Sequence, residues 1–377
     1  MGFGNWIRAT TSVLAVAWAS SATAQGAGHE PVRIGAIVSS TGGLASLGIA
    51  EREGILLAQK IINANGGIAG RQLEVIVEDD GSNPDAAISK INALVHSAGV
   101  EAVVGPTGIA STVAVGAITQ AQKIPLLAFT GLGPSVEATR ECVLHLTPAQ
   151  ELNARALLSY ARDNGAKNVG VLHDSGYGQV IWGAMSKLGS QYGVVFSAVE
   201  KFELSATDAT AQAAKIKAAQ PDMVIVLSSQ GTGFRNLRQV GVTEPIIAVH
   251  GTALYEVVRS MGAAADNIVH AEFLIAEDPL PNQADFVSAF KEEYGRLPKH
   301  FEAAGWDAVM VVADALKTTG PEPADGALCD TLRKPYPGVF AKYDFSAPDM
   351  GGLTLSSFNY SLLTNGQFSR LPYRAKP

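Results

Sequence analysis

Short apolar runs alternate with helical stretches from Val32 onward, and this alternation limits the possible folds more than any other feature of the chain. Val32–Ser39 reads as a strand, Leu47–Ala64 as a helix, Leu73–Asp79 as a strand and Ala86–Ala98 as a helix. Ala102–Gly105 and Pro125–Phe129 are further strands, with a helix at Ser111–Gln122 between them. After a helix at Glu151–Asp163 the pattern resumes with strands at Val169–His173, Val194–Phe202, Met223–Ser228 and Ile246–Val249. Helices near Gln179–Tyr192, Ala209–Ala219 and Phe234–Gly241 accompany them. Such alternation predicts parallel sheets covered by helices on both faces. Two such sets in 377 residues predict an α/β chain of two doubly wound parallel-sheet lobes.

The break between the sets falls at Leu146-Thr147-Pro148. Beyond Ile275 the helices Asp285–Tyr294 and Ala303–Thr318 follow with no strong strand between them, which suggests that the chain re-enters the first lobe. Gly338–Asp344 and Phe358–Leu363 are more polar strands, expected at an edge or at the hinge. Crossings are therefore expected near residues 147, 275 and 346. One lobe would hold 31–146 and 276–346, the other 147–275 and 347–377.

Ala58–Asp85 carries the most specific wording. Ile61 and Ile62 close an apolar helical face, Asn65-Gly66-Gly67 stops the helix, and Leu73–Val77 is a short strand. Asp79-Asp80-Gly81-Ser82-Asn83-Pro84 then forms a loop that caps the next helix. This run resembles the leucine/isoleucine/valine-type family of periplasmic solute-binding proteins, the receptors of ABC importers, and the similarity extends from Pro31 to Leu371. The resemblance implies the type I periplasmic binding protein fold, with the three crossings serving as a hinge. It also implies a binder rather than an enzyme, working with a membrane permease and its ATPase.

Met1–Ala24 has a basic start ending at Arg8, an apolar stretch Val13–Ala19 and an Ala22-Thr23-Ala24 cleavage pattern, so export to the periplasm with cleavage after Ala24 is expected. Its removal leaves 27 basic against 35 acidic residues and no basic block, which argues against a nucleic-acid partner. A monomer is expected. No metal or cofactor motif is present. Cys142 and Cys329 can form a disulfide in an oxidising compartment, but their separation in sequence leaves the pairing open.

Ligands of doubly wound folds sit outside the carboxyl ends of the strands. Four first-lobe loops fit: Ser39–Gly43, Asp79–Pro84, Gly105–Gly108 and Thr130–Gly133. Ser40, and Leu47 on the helix behind the first loop, are candidate ligand contacts. The resemblance places a ligand's carboxylate and ammonium at Gly105–Ser111 and Phe129–Leu132. It thereby marks Thr107, Ile109, Ala110, Ser111, Phe129, Thr130 and Leu132, with Ile109 standing where the family often has serine. From the second lobe, Tyr177 is expected to face the cleft, together with Ser229 and Gln230. Phe234 could line the cleft or face the core. His173-Asp174-Ser175 is too compressed to act as a catalytic triad, whose members come from separate segments.

His250 is the most informative departure. Leucine-binding relatives carry a glutamate there that pairs with the ligand's ammonium, a charge histidine cannot supply. The expected ligand is therefore a small carboxylate without that ammonium, an aromatic acid among the candidates, receiving a hydrogen bond from His250 with Tyr177, Phe129 and Tyr255 around its ring. Branched-chain amino acids, with another acid such as Asp79 or Asp80 meeting the ammonium, are the alternative, as is a sensory receptor on the same fold.

Overall fold

Four of the five strands of the first sheet are almost wholly buried, as a parallel sheet covered on both faces requires, whereas the edge strand Leu73–Asp79 is mostly half-buried. In the computed structural model, which describes residues 30–133, 139–320, 322–324 and 326–376, this sheet contains five strands. They are β1 (Val32–Val38), β2 (Leu73–Asp79), β3 (Ala102–Val104), β4 (Leu126–Ala128) and β5 (Val143–His145). All run parallel, in the order β2-β1-β3-β4-β5. The expected export signal over 1–24 lies outside the described residues.

The second sheet repeats that order. β6 (Asn168–Asp174), β7 (Val195–Phe202), β8 (Met223–Leu227), β9 (Ile246–Val249) and β10 (Ile268–Glu272) run parallel as β7-β6-β8-β9-β10. A two-stranded ribbon, β11 (Pro335–Pro337) and β12 (Lys342–Asp344), follows later in the chain. β13 (Asn359–Thr364) and β14 (Gln367–Arg370) then extend the second sheet antiparallel beyond β10. In both sheets the order reverses next to the first strand of the set, between β1 and β3 and between β6 and β8. Such reversal points open a crevice at the carboxyl ends of the strands.

Several elements depart from the sequence expectations. The second sheet is mixed rather than wholly parallel, and β13 lies inside it, flanked by β10 and β14. β10 was hidden because His270 and Glu272 interrupt its apolar pattern, although both are fully buried. The helix expected at Gln179–Tyr192 is instead a helix at Tyr177–Met185 and a separate 3-10 turn at Gly189–Tyr192, where Gly189 packs under the Phe196 ring. The helix expected at Ala86–Ala98 begins earlier, at Pro84, because the Asn83 side chain accepts from the amides of Asp85 and Ala86. It widens into a π-helical turn over Leu94–Ala98.

Beyond β10 the chain leaves the second sheet for the helices Ala284–Tyr294 and His300–Thr319, and it returns to that sheet at β13. His300–Thr319 packs across the first-lobe helix Ala45–Ala64 at near-backbone contact. A Cβ on Gly54 would lie 1.9 Å from the Glu302 carbonyl oxygen, and one on Gly305 would lie 2.0 Å from that of Glu51. Only glycine allows this approach. Cys142, beside β5, is disulfide-bonded to Cys329 in the helix Ala327–Leu332 with a Cα–Cα distance of 5.4 Å, so the re-entrant segment is also covalently tied to the first sheet. The His145 ring lies between two carbonyl oxygens, Nδ1 at 2.6 Å from Thr147 and Nε2 at 2.5 Å from Asp349, which ties the end of β5 to the segment after β12.

A buried ion pair joins the re-entrant segment to the second sheet. Lys299 Nζ lies 2.5 Å from Glu272, with the two side chains 1% and 0% exposed. The Ser361 hydroxyl donates to the other Glu272 oxygen, and the Lys299 ammonium sits 3.6 Å from the centre of the Phe368 ring. Removing one partner strands the other charge. Lys299→Met is expected to lower unfolding stability by about 3–5 kcal/mol, read as a reduced denaturant midpoint; an unchanged midpoint would show that the pair does not hold the segment.

Candidate functional site

The two crevices face each other across one cavity of about 280 Å³, near the small end of ligand pockets. Most of its wall is apolar. Leu44 and Leu47 come from the first-lobe helix and its approach, Phe129 from the end of β4, Val180 from the helix after β6, and Phe301 from the re-entrant helix. Phe301 went unnoticed in the sequence because its position depends on how that helix crosses the chain.

The polar end is built from the loop after β3. Thr107 and Gly108 lead into the helix Ile109–Ala121, and no side chain caps its first turn. Ile109, Ala110 and Ser111 line the cavity there. The leading amides of a helix together with its dipole suit a carboxylate.

Tyr177, Ser229 and His250 reach the cavity from the second sheet, at the ends of β6, β8 and β9. Tyr177 Oη lies 3.1 Å from His250 Nε2 and 3.4 Å from Asn153 Nδ2. Burial raises the pKa of the Tyr177 hydroxyl, so it keeps its proton. The His250 ring is packed against Phe273, His300 and Phe301. Burial, and secondarily the Lys299 charge, push its pKa down to about 3. His250 is therefore neutral, and Tyr177 already engages its Nε2. The ring therefore offers the cavity no charge and its Nε2 is taken by Tyr177, while its Nδ1 is buried without a hydrogen-bond partner among the described residues.

Of the remaining expected contacts, Leu47, Thr107, Phe129 and Thr130 line the cavity, whereas Ser40, Leu132 and Gln230 do not. The Ser40 amide donates to Asp79, tying its loop to the loop after β2, and the Gln230 amide donates to Ser228 Oγ within its own turn. Tyr255 is also absent from the wall, because its hydroxyl donates to Glu277 and its ring packs on Phe368. Phe234 is fully buried in the core. Asp79 and Asp80 act as caps: Asp79 accepts from Ser40, Thr41 and Gly81, and Asp80 from Ser39 and Ser82. Asp174 likewise accepts from the amides of Gly176, Gly178 and Ser229, a structural use of the His-Asp-Ser run.

Polar wall residues outside the expected set are Glu51, Ser82, Thr147 and Gln150, and Glu51 is the acid among them. Glu51 lies on the apolar face of the first-lobe helix, lines the cavity and is 1% exposed. The Thr107 hydroxyl donates to its Oε2 at 2.5 Å and accepts from the Ser39 amide at 3.0 Å. Burial holds the Glu51 carboxyl well above the usual range; the Thr107 hydrogen bond works against this, and nearby Asp80 adds to it. The signal was present in the sequence: an acid four residues after Leu47 and three before Gly54, on a stripe that is otherwise apolar. Among the described residues no three of His, Cys, Asp and Glu form a metal-ligand group.

Comparison with known proteins places this geometry in context. A family described as "Periplasmic binding protein" matches residues 31–353. A leucine-, isoleucine-, valine-, threonine- and alanine-binding protein of Pseudomonas aeruginosa is 24% identical over 289 residues, covering 74% of this chain and 76% of the relative. Leu/Ile/Val-binding protein homolog 7 of Brucella abortus is 21% identical, covering 90% of this chain and 87% of its own length. Among solved structures, the branched-chain amino acid transporter substrate-binding protein LivJ of Streptococcus pneumoniae, in complex with isoleucine, superposes with a TM-score of 0.81. It is 26% identical and covers 90% of this chain and 100% of its own. The leucine-binding protein LivK of Thermotoga maritima shares the fold, with a TM-score of 0.79 at 22% identity over 92% of this chain and 99% of its own.

The state of His250 can be measured directly. With its pKa pushed down to about 3, the ring is expected to stay neutral throughout pH 5–8. Histidine NMR resonances assigned by a His250→Gln variant should show no midpoint there for this ring; a midpoint above pH 5 would contradict the burial argument.

Proposed function

From the premise that this chain belongs to the periplasmic binding protein family, we propose that it captures an apolar amino acid between two lobes and delivers it to a membrane permease driven by an ATPase. The observation that carries this reading is the cavity itself, an apolar chamber between the carboxyl ends of two sheets with an uncapped helix N-terminus at one end. A carboxylate fits that N-terminus, and an aliphatic body fits Leu44, Leu47, Val180 and Phe301. The lobes are proposed as 31–146 with 276–346 and 147–275 with 347–377. Closure about the crossings would then complete the site, in a protein exported to the periplasm with its signal removed after Ala24.

The amino-acid reading is preferred to an amine-free acid. The argument for an amine-free acid assumed that no carboxylate faces the ligand once His250 replaces the family's glutamate. Glu51 removes that assumption. The named substrates of the Pseudomonas and Streptococcus relatives point the same way. An aromatic or aliphatic carboxylate without an amine is the second reading, favoured by the neutral His250.

The test is thermal unfolding of protein freed of co-purified solute by unfolding and refolding, with leucine, isoleucine, valine and matched amine-free acids. A ligand at a hundred times its dissociation constant adds about 2.7 kcal/mol. Stabilisation by the amino acids is expected, with compaction in small-angle scattering. Stabilisation by amine-free acids alone would overturn the amino-acid reading in favour of the second.

A further inference from the structure

Among the described residues, Glu51 is the one carboxylate lining the cavity. We propose that it holds the ammonium group of the ligand, so that both charged ends of an apolar amino acid dock on the first lobe. The assignment rests on the amino-acid reading above and goes beyond it by moving the cation site from the second lobe, where the family resemblance would put it, to the opposite wall.

Placement and electrostatics argue for it together. Glu51 is buried, faces no lysine or arginine, and among the described residues takes a hydrogen bond only from the Thr107 hydroxyl. Its charged neighbour is another acid, Asp80, which is also buried and has an Oδ2 atom without a hydrogen-bond partner. Two buried carboxylates with no cation between them leave a site that a positive charge would stabilise. Glu302 on the crossing helix is already neutralised by Arg296 at 2.8 Å, and His250 and Tyr177 across the cavity are neutral. The second lobe offers the cavity no acid.

The spacing also suits an α-amino acid. Thr107, whose hydroxyl is bound to Glu51, lies two residues before Ile109, where the uncapped helix begins. The acid and the amides thus meet at one short loop, as the adjacent carboxylate and ammonium of such a ligand require. The Glu51 backbone is held by the Gly305 crossing, so the acid is presented from a rigid element.

The assignment has a thermodynamic signature. In the free protein burial raises the Glu51 carboxyl well above its ordinary range, which favours its protonated form. An arriving ammonium favours the carboxylate, so the carboxyl O–H proton leaves to solvent as the ion pair forms. Binding should therefore release a proton and tighten as pH rises. A purely structural Glu51 would do neither.

The experiment is calorimetric titration of the refolded full chain with L-leucine, L-isoleucine and L-valine in phosphate and in Tris at neutral pH. It is paired with 4-methylpentanoate, which is leucine without its amine, and with Glu51→Gln. Buffer-dependent enthalpy is expected for the wild-type protein with the amino acids, and little with 4-methylpentanoate. Glu51→Gln should weaken amino-acid binding by roughly a hundredfold and abolish the proton release, while 4-methylpentanoate binds at least as well as before. Wild-type protein that binds leucine with no proton release, or Glu51→Gln that binds it within a few-fold, would overturn the Glu51 assignment alone. Failure of the wild-type protein to bind any of the three amino acids would overturn the amino-acid reading and this assignment with it. The wild-type buffer comparison stands even if the variant does not fold.

Discussion

The buried pair of Lys299 and Glu272 underlies the rest of the arrangement. It fastens the end of β10, in the second sheet, to the residue that precedes the re-entrant helix His300–Thr319. The Lys299 amide also donates to Glu302, so the helix start is held by its own first turn as well. The next two residues follow from that anchor: His300 packs edge-on against His250, and Phe301 enters the cavity. Further along, Gly305 meets the Glu51 carbonyl, which fixes the height of the first-lobe helix. One ion pair is thus linked by a short run of packed residues to both walls of the site. Charges this deeply buried persist only when paired and hydrogen-bonded, which is why Ser361 and the Phe368 ring complete the shell.

The electrostatics of the cavity are correspondingly uneven. The second lobe contributes uncharged groups: a tyrosine that keeps its proton, a histidine too buried to take one, and Ser229. The first lobe contributes a helix N-terminus and a buried acid, brought together through Thr107. In such a cleft the first lobe would recognise the charged end of a solute, and the second would close over it with apolar and aromatic surface. Closure would then be driven mainly by burial of the solute's apolar body.

The fold was largely legible because it rests on local patterns. β1 to β4 and β6 to β9 are short apolar runs bounded by turn residues, and their helices carry apolar stripes. β10 was not legible, because His270 and Glu272 break its pattern: Glu272 is held by Lys299 from far along the chain, and the His270 ring packs on Phe368. The site follows the same division. Loops at strand ends were legible from the pattern, and the family resemblance then marked Thr107, Ile109 to Ser111, Phe129 and Tyr177 within them. Ser40, Leu132 and Gln230 occupy equivalent loops but do not reach the wall, since loop membership does not determine which way a residue faces.

The sequence by itself determined two doubly wound sheets and the set of loops at their carboxyl ends, because side-chain periodicity and turn chemistry act over a few residues. Only the tertiary structure decided that Cys142 meets Cys329, that Tyr177 engages His250, and that Glu51 turns from the core stripe into the cleft. Each of those outcomes depends on segments brought together from distant parts of the chain, and the cost of burying a polar group is settled by the partners it finds there.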